Sequence, residues 1–119
     1  MYSQSYKQLK VWQRSIELVK EIYRATEQLP KSELYGLVSQ MRRCAVSIPS
    51  NIAEGYKRGN IGEYIHFLSI ADASAAELET QIILSKELYS NINFSKAESL
   101  LEEVQKMLIT MIKKLNANP

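Results

Sequence analysis

Any reaction chemistry in this chain would have to begin with one histidine, His66, and one cysteine, Cys44. A thiol nucleophile needs a base beside it, and on a helix such partners sit three or four residues apart. No histidine falls within a turn of Cys44. The adjacent Arg43 would lower the thiol pKa, but without a base Cys44 reads as a small residue at the edge of a core stripe. His66 projects about 140° from Ala71, the centre of its apolar stripe, at about 100° per residue, and reads as solvated. Bundle metal sites gather inward carboxylates and histidines. Here Glu77 and Glu79 stand off the apolar stripe, and there is no Cys-x-x-Cys pair. Gly59-Asn60-Ile61-Gly62 suits a helix junction better than a phosphate loop. The expectation is therefore a protein without catalytic residues, metal or cofactor.

Two sets of polar residues remain that could bind something. Gln40, Arg43, Ser47, Asn51, Glu54 and Arg58 recur three or four apart and share one helix face, about 120° from the apolar one. Hydroxyls and amides take the place of the Lys and Glu of an ordinary solvated face, which suits a subunit contact. Basic residues come in pairs, Arg42-Arg43, Lys57-Arg58 and Lys113-Lys114, with Lys7, Lys10 and Arg14 on the first helix. Such pairs serve either as helix-end charges or, gathered by an assembly, as a phosphate-facing surface. The candidate nucleic-acid contacts are Lys10, Arg14, Arg42, Lys57, Arg58, Lys113 and Lys114. No DNA- or RNA-reading motif is present, so binding would be to the backbone, salt-dependent and nearly sequence-independent.

Helices must position these residues. With 4 Gly and 3 Pro in 119 residues the chain has few places to turn, so its elements are long. Hydrophobic residues at 45% and charged residues at 24% fit one globular domain over residues 1–119. A first helix is expected at about 6–28, with Leu9, Trp12, Ile16, Val19, Tyr23 and Thr26 as its stripe, widened by Val11, Leu18, Ile22 and Leu29 into a broad buried face. Pro30 ends it. A second is expected at about 33–58, capped by Ser32, with a stripe through Leu34, Val38, Met41, Ala45, Ile48, Ile52 and Tyr56 that keeps phase across a kink at Pro49.

The third, about 61–90, starts at an Asn60–Glu63 capping box and holds the most regular spacing, from Tyr64 through Ala71 and Leu78 to Tyr89. The fourth, about 95–115, starts at a Ser95–Glu98 box. Val46, Ala53 and Ile109 fall off their stripes and favour self-association. The fold class expected is an all-α, antiparallel up-down-up-down four-helix bundle. The lone cysteine points to the cytoplasm, and no apolar run is long enough for a membrane.

The run from Gln40 to Gly55, QMRRCAVSIPSNIAEG, resembles the signature of the bacterial four-helix-bundle family named after the 23S rRNA intervening-sequence protein. Leu9-Lys10-Val11-Trp12-Gln13, Ile22-Tyr23, Tyr35-Gly36-Leu37, Phe67 to Ala71 and Glu77 to Gln81 extend the likeness over about residues 6–115. The resemblance implies a ring-like homopentamer. It also implies kinship with the accessory protein of diversity-generating retroelements, a basic pentamer that binds nucleic acid and a reverse transcriptase. This chain carries only +2, though five copies would carry +10. Carried onto this sequence, the motif residues Arg43, Ser47, Asn51 and Glu54 would fix the second helix against a neighbouring helix or subunit. The expected function is a homo-oligomer that binds RNA or DNA; the alternative is a scaffold for another protein. Arg43→Glu is expected to disturb assembly or thermal stability more than Lys113→Glu, and equal effects in light scattering and melting would remove the role given to the polar face.

Overall fold

A computed structural model describes residues 5–117 and holds four long helices, α1 (Lys10–Thr26), α2 (Ser39–Lys57), α3 (Ile61–Leu88) and α4 (Ser95–Ala117). Cross-helix pairs fix the directions. Arg14 meets Glu103 at 3.1 Å and Glu21 meets Lys96 at 3.7 Å, so α1 and α4 run antiparallel. Glu79–Gln105 and Lys86–Glu98 do the same for α3 and α4. Arg42 with Thr26, and Ser47 with Ser74, orient α1 with α2 and α2 with α3. Each helix packs on its two sequence neighbours, α1 closing on α4, in an up-down-up-down rod of 48 × 22 × 21 Å.

Several expected boundaries move, each for a local reason. The first helix does not run unbroken from residue 6. Ser5 caps a short turn, Tyr6–Gln8, by accepting from the Lys7 amide at 3.1 Å, and Leu9 is extended (φ −74°, ψ 128°). The helix ends at Thr26, after which Gln28 and Leu29 donate to the Ala25 and Thr26 carbonyls in a tightened final turn. Ser32 does not cap the second helix; it lies inside a short turn, Lys31–Glu33. Glu33 takes the capping part, accepting from the Leu37 amide at 3.3 Å and from the Tyr89 hydroxyl at 2.6 Å. A π-type turn, Leu34–Val38, then precedes α2. A Cβ on Gly36 would stand 2.9 Å from Glu33 Oε1, so glycine is what lets that carboxylate fold over the turn.

The departure from helical backbone falls at Gly36 (φ −107°, ψ −110°). Pro49 is buried within α2, which continues through it to Lys57. Around it Ser50 donates to the Val46 carbonyl and Asn51 to the Ser47 carbonyl, each at 2.8 Å, whereas the carbonyl that proline leaves without its helical N–H is that of Ala45. Gly59, at φ 82°, ends the run, and Asn60 caps α3 by accepting from the Glu63 amide at 2.8 Å. α3 stops at Leu88 rather than residue 90. Ser95 is the first residue of α4 rather than its cap; Asn93 accepts from the Ser95 amide at 2.9 Å, and α4 runs on to Ala117.

One continuous core joins Leu18 and Ile22 of α1, Met41, Ile48 and Ile52 of α2, Leu68, Leu78 and Ile82 of α3, and Leu101, Val104 and Leu108 of α4. On α1 the buried line is Val11, Ser15, Leu18, Ile22 and Ala25. Of the broad face expected, Val11, Leu18, Ile22, Thr26 and Leu29 are buried, whereas Trp12, Ile16, Val19 and Tyr23 form its flank, half-buried at best, with Tyr23 42% exposed. Ser15 can sit at the centre because its hydroxyl donates to the Trp12 carbonyl at 2.7 Å, which removes the cost of burying it. Leu34, expected on the α2 stripe, is 49% exposed on the turn before it.

The α2–α3 seam is built from small residues. Ala45, Ala71 and Ala75 are fully buried, and Ser47 and Ser74 share a 2.9 Å hydrogen bond. A Cβ on Gly55 would lie 2.8 Å from Phe67 Cβ and 3.3 Å from the Tyr64 carbonyl oxygen, too close without moving a helix. Gly55→Ala is expected to destabilise the fold by about 1–3 kcal/mol, as overpacking does. Urea unfolding checks this, and an unchanged midpoint would contradict the tight seam.

Candidate interaction surfaces

The seven candidate phosphate contacts do not form one patch. Up-down-up-down winding brings Lys10 at the start of α1, Lys57 and Arg58 at the end of α2, and Lys113 and Lys114 at the end of α4 to one end of the rod, with Arg14 a turn further in. Arg42 lies towards the opposite end. There its Nε donates to Thr26 Oγ1 at 3.0 Å, its Nη2 to the Tyr23 carbonyl at 3.2 Å, and its guanidinium lies 4.4 Å from the Tyr23 ring centre. These bonds fasten α2 to α1, so Arg42 is a strut.

Two others have carboxylate partners. Arg14 pairs with Glu103, and Arg58 reaches Glu54 at 2.9 Å and Glu63 at 3.9 Å while stacking on Phe67. Exposed pairs of this kind contribute only about 0–1 kcal/mol, so a phosphate could compete for either arginine. Lys10, Lys57, Lys113 and Lys114 are exposed.

The polar face of α2 divides as well. Ser47 and Asn51 are half-buried, with Asn51 Nδ2 donating to the Ser47 carbonyl and, at 2.9 Å, to its hydroxyl, and they form the rim of the α3 seam. Arg43 and Glu54 are exposed.

Cys44 is half-buried at the same seam. Burial pushes its thiol pKa above the ordinary value, the nearby Glu77 carboxylate adds to this, and a hydrogen bond with Gln81 and the charge of Arg43 oppose it. His66 is exposed with its ring edge-on to Phe67 at 5.3 Å. Glu63 stands one turn before it, so a Glu-x-x-His spacing is present that the sequence reading counted as absent from the chain. This pair lies at the rim of the bundle, where Glu63 faces Arg58, and it points into no core. Among the described residues no three His, Cys, Asp or Glu side chains gather to hold a metal, and no helix is long and apolar enough to cross a membrane.

Two grooves went unnoticed in the sequence. One, of about 500 Å³, lies between α1 and α2 and is lined by Tyr23, Leu34, Tyr35, Arg42, Arg43 and Val46, among others. Tyr35 is 92% exposed at its edge. An aromatic residue beside a glycine just after Pro30 was the available signal. The second, of about 190 Å³, lies between α3 and α4, with Glu79, Glu98, Glu102 and Ile83 in its wall.

The family model of the 23S rRNA-intervening sequence protein matches residues 7–110. The chain belongs to that family. A crystal structure from the S23 ribosomal protein family, a protein of unknown function from Bacteroides thetaiotaomicron, is similar to it at 27% identity with a TM-score of 0.73. That likeness covers 87% of this chain and 98% of the other. No curated protein matches it. In this intervening-sequence family member the raised thiol pKa gives a direct expectation. A raised pKa leaves less thiolate at neutral pH, so Cys44 should alkylate more slowly in the folded chain than in the same chain in denaturant. Equal rates, followed by mass spectrometry at pH 7, would place the thiol in open solvent.

Proposed function

We propose that this chain is a non-enzymatic, self-assembling bundle, working in the cytoplasm, whose assembly holds the sugar–phosphate backbone of RNA or DNA against the end where α2 and α4 finish. The observation that carries the reading is topological. Segments 6–13, 54–64 and 110–117 meet at that end. They hold Lys7, Lys10, Lys57, Arg58, Lys113 and Lys114 against only Glu54 and Glu63, so this end carries +4 where the whole chain carries +2. Two helices also turn their carbonyl ends there, which the cations offset. A homopentamer of the kind the resemblance implies would repeat this end around one rim and raise the local potential without any change in sequence. The second reading, an adaptor for another protein, draws on the apolar groove between α1 and α2.

Filter binding of structured RNA across a salt series tests the proposal. The logarithm of affinity should fall linearly with that of salt, by about 0.7–0.9 per phosphate contact. Lys57→Gln and Lys113→Gln should flatten the slope, and Lys31→Gln at the far end should not. Binding that ignores salt, or no binding at low salt, would sink the nucleic-acid role and leave the adaptor.

A further inference from the structure

The end of the rod where α2 and α4 finish is rich in rings as well as in cations. Half of the chain's Phe, Trp and Tyr residues stand there, together with its one histidine. Tyr6 lies on the turn before α1 and Trp12 in the first turn of that helix. Tyr56 lies in the last turn of α2, and Tyr64, His66 and Phe67 lie in the first two turns of α3. Trp12 and Tyr64 lean on the core, while Tyr6, Tyr56 and Phe67 are half-buried outside it and His66 is exposed.

These rings do not stack on one another. Tyr6 meets Trp12 at 66°, Tyr56 meets Tyr64 at 89° and His66 meets Phe67 at 72°, all edge to face. Cations are set among them. Lys7 follows Tyr6, Lys57 follows Tyr56, and the Arg58 guanidinium lies over Phe67 at 4.9 Å. α1 and α3 stand diagonally in the bundle with α2 between them, and the turn Tyr6–Gln8 packs against α2. A chain crossing the end of α2 therefore meets rings, then cations, then rings again.

That order decides which polyanion fits. In a duplex every base face is covered by its neighbours, and a side chain reaches only phosphates and base edges. Rings would add little there that lysines do not supply. An unpaired strand offers its phosphates and its base faces together, and a base laid on an aromatic ring binds whatever its identity. Charge alone acts the other way, because a duplex carries more phosphates per unit length than a single strand. Unpaired bases are a regular part of folded RNA, in its loops and bulges. We propose that this end takes an unpaired RNA strand, with its phosphates on the cations and its bases on the Tyr6–Trp12 and His66–Phe67 pairs. This rests on the nucleic-acid role proposed above and names the form of nucleic acid that fills it.

Trp12 is the chain's one tryptophan, so its fluorescence reports on this end. The full chain is titrated at low salt with a short oligouridine, which forms no pairs, and with an RNA duplex of equal length. The single strand should bind at least about fivefold more tightly, roughly what one stacked base contributes. It should also quench Trp12, while the duplex leaves the emission unchanged. Tyr6→Leu and His66→Ala lie outside the core, so circular dichroism should show both variants folded. Each should weaken binding of the strand and leave that of the duplex as it was. Neither should alter the dependence on salt, which counts phosphate contacts and not stacked bases. Equal affinity for the two forms, a preference for the duplex, or a strand preference that both substitutions leave intact would overturn the stacked strand and leave the phosphate contact standing. Absence of binding to either form would remove both readings.

Discussion

The close approach of α2 to α3 sets the geometry on which everything else depends. Gly55 carries no Cβ where one would collide with Phe67, Ala45, Ala71 and Ala75 keep the seam thin, and the Ser47–Ser74 bond fixes its register. Register between these two helices decides the level of Arg42 and Arg43 against Glu79. Through the α3–α4 pairs at Glu79 and Lys86 it also decides where α4 ends. Interiors pack too densely for one helix to slip without the others. The location of the basic end and of both grooves is thus a consequence of one tight contact.

Much of this was legible in the sequence, and the failures have separate physical causes. α3 could be read directly, because Leu68, Ala71, Ala75, Leu78, Ile82 and Ser85 hold their three-and-four spacing along the helix, even though Ile61, Ile83, Leu84 and Leu88 place further apolar side chains off that line. α1 could be read only as a broad face, because it carries two adjacent apolar lines. The line that faces the core includes Ser15, a polar residue whose partner is a backbone carbonyl that no periodicity reveals. Pro49 drew the expectation of a kink, while the non-helical backbone lies at Gly36, where a carboxylate from Glu33 folds across the turn. Basic pairs were visible as pairs. That Arg42 would be spent on the Tyr23 carbonyl and Thr26 is a tertiary fact.

The molecule separates two kinds of surface along its length. Cations gather where the chain makes its Gly59–Asn60 turn, and exposed apolar side chains gather mainly towards the opposite half. The half-buried thiol and the exposed histidine lie outside both grooves.

The turn at Tyr35 has a kinetic meaning. Glu33 is held from two sides, by the Leu37 amide and by the Tyr89 hydroxyl at the end of α3, so the loop that displays Tyr35 is braced from both directions before any encounter. A side chain presented on a pre-ordered loop surrenders little backbone entropy when it docks. Any partner that met Tyr35 would find it already in place, with no slow loop closure between meeting and fit.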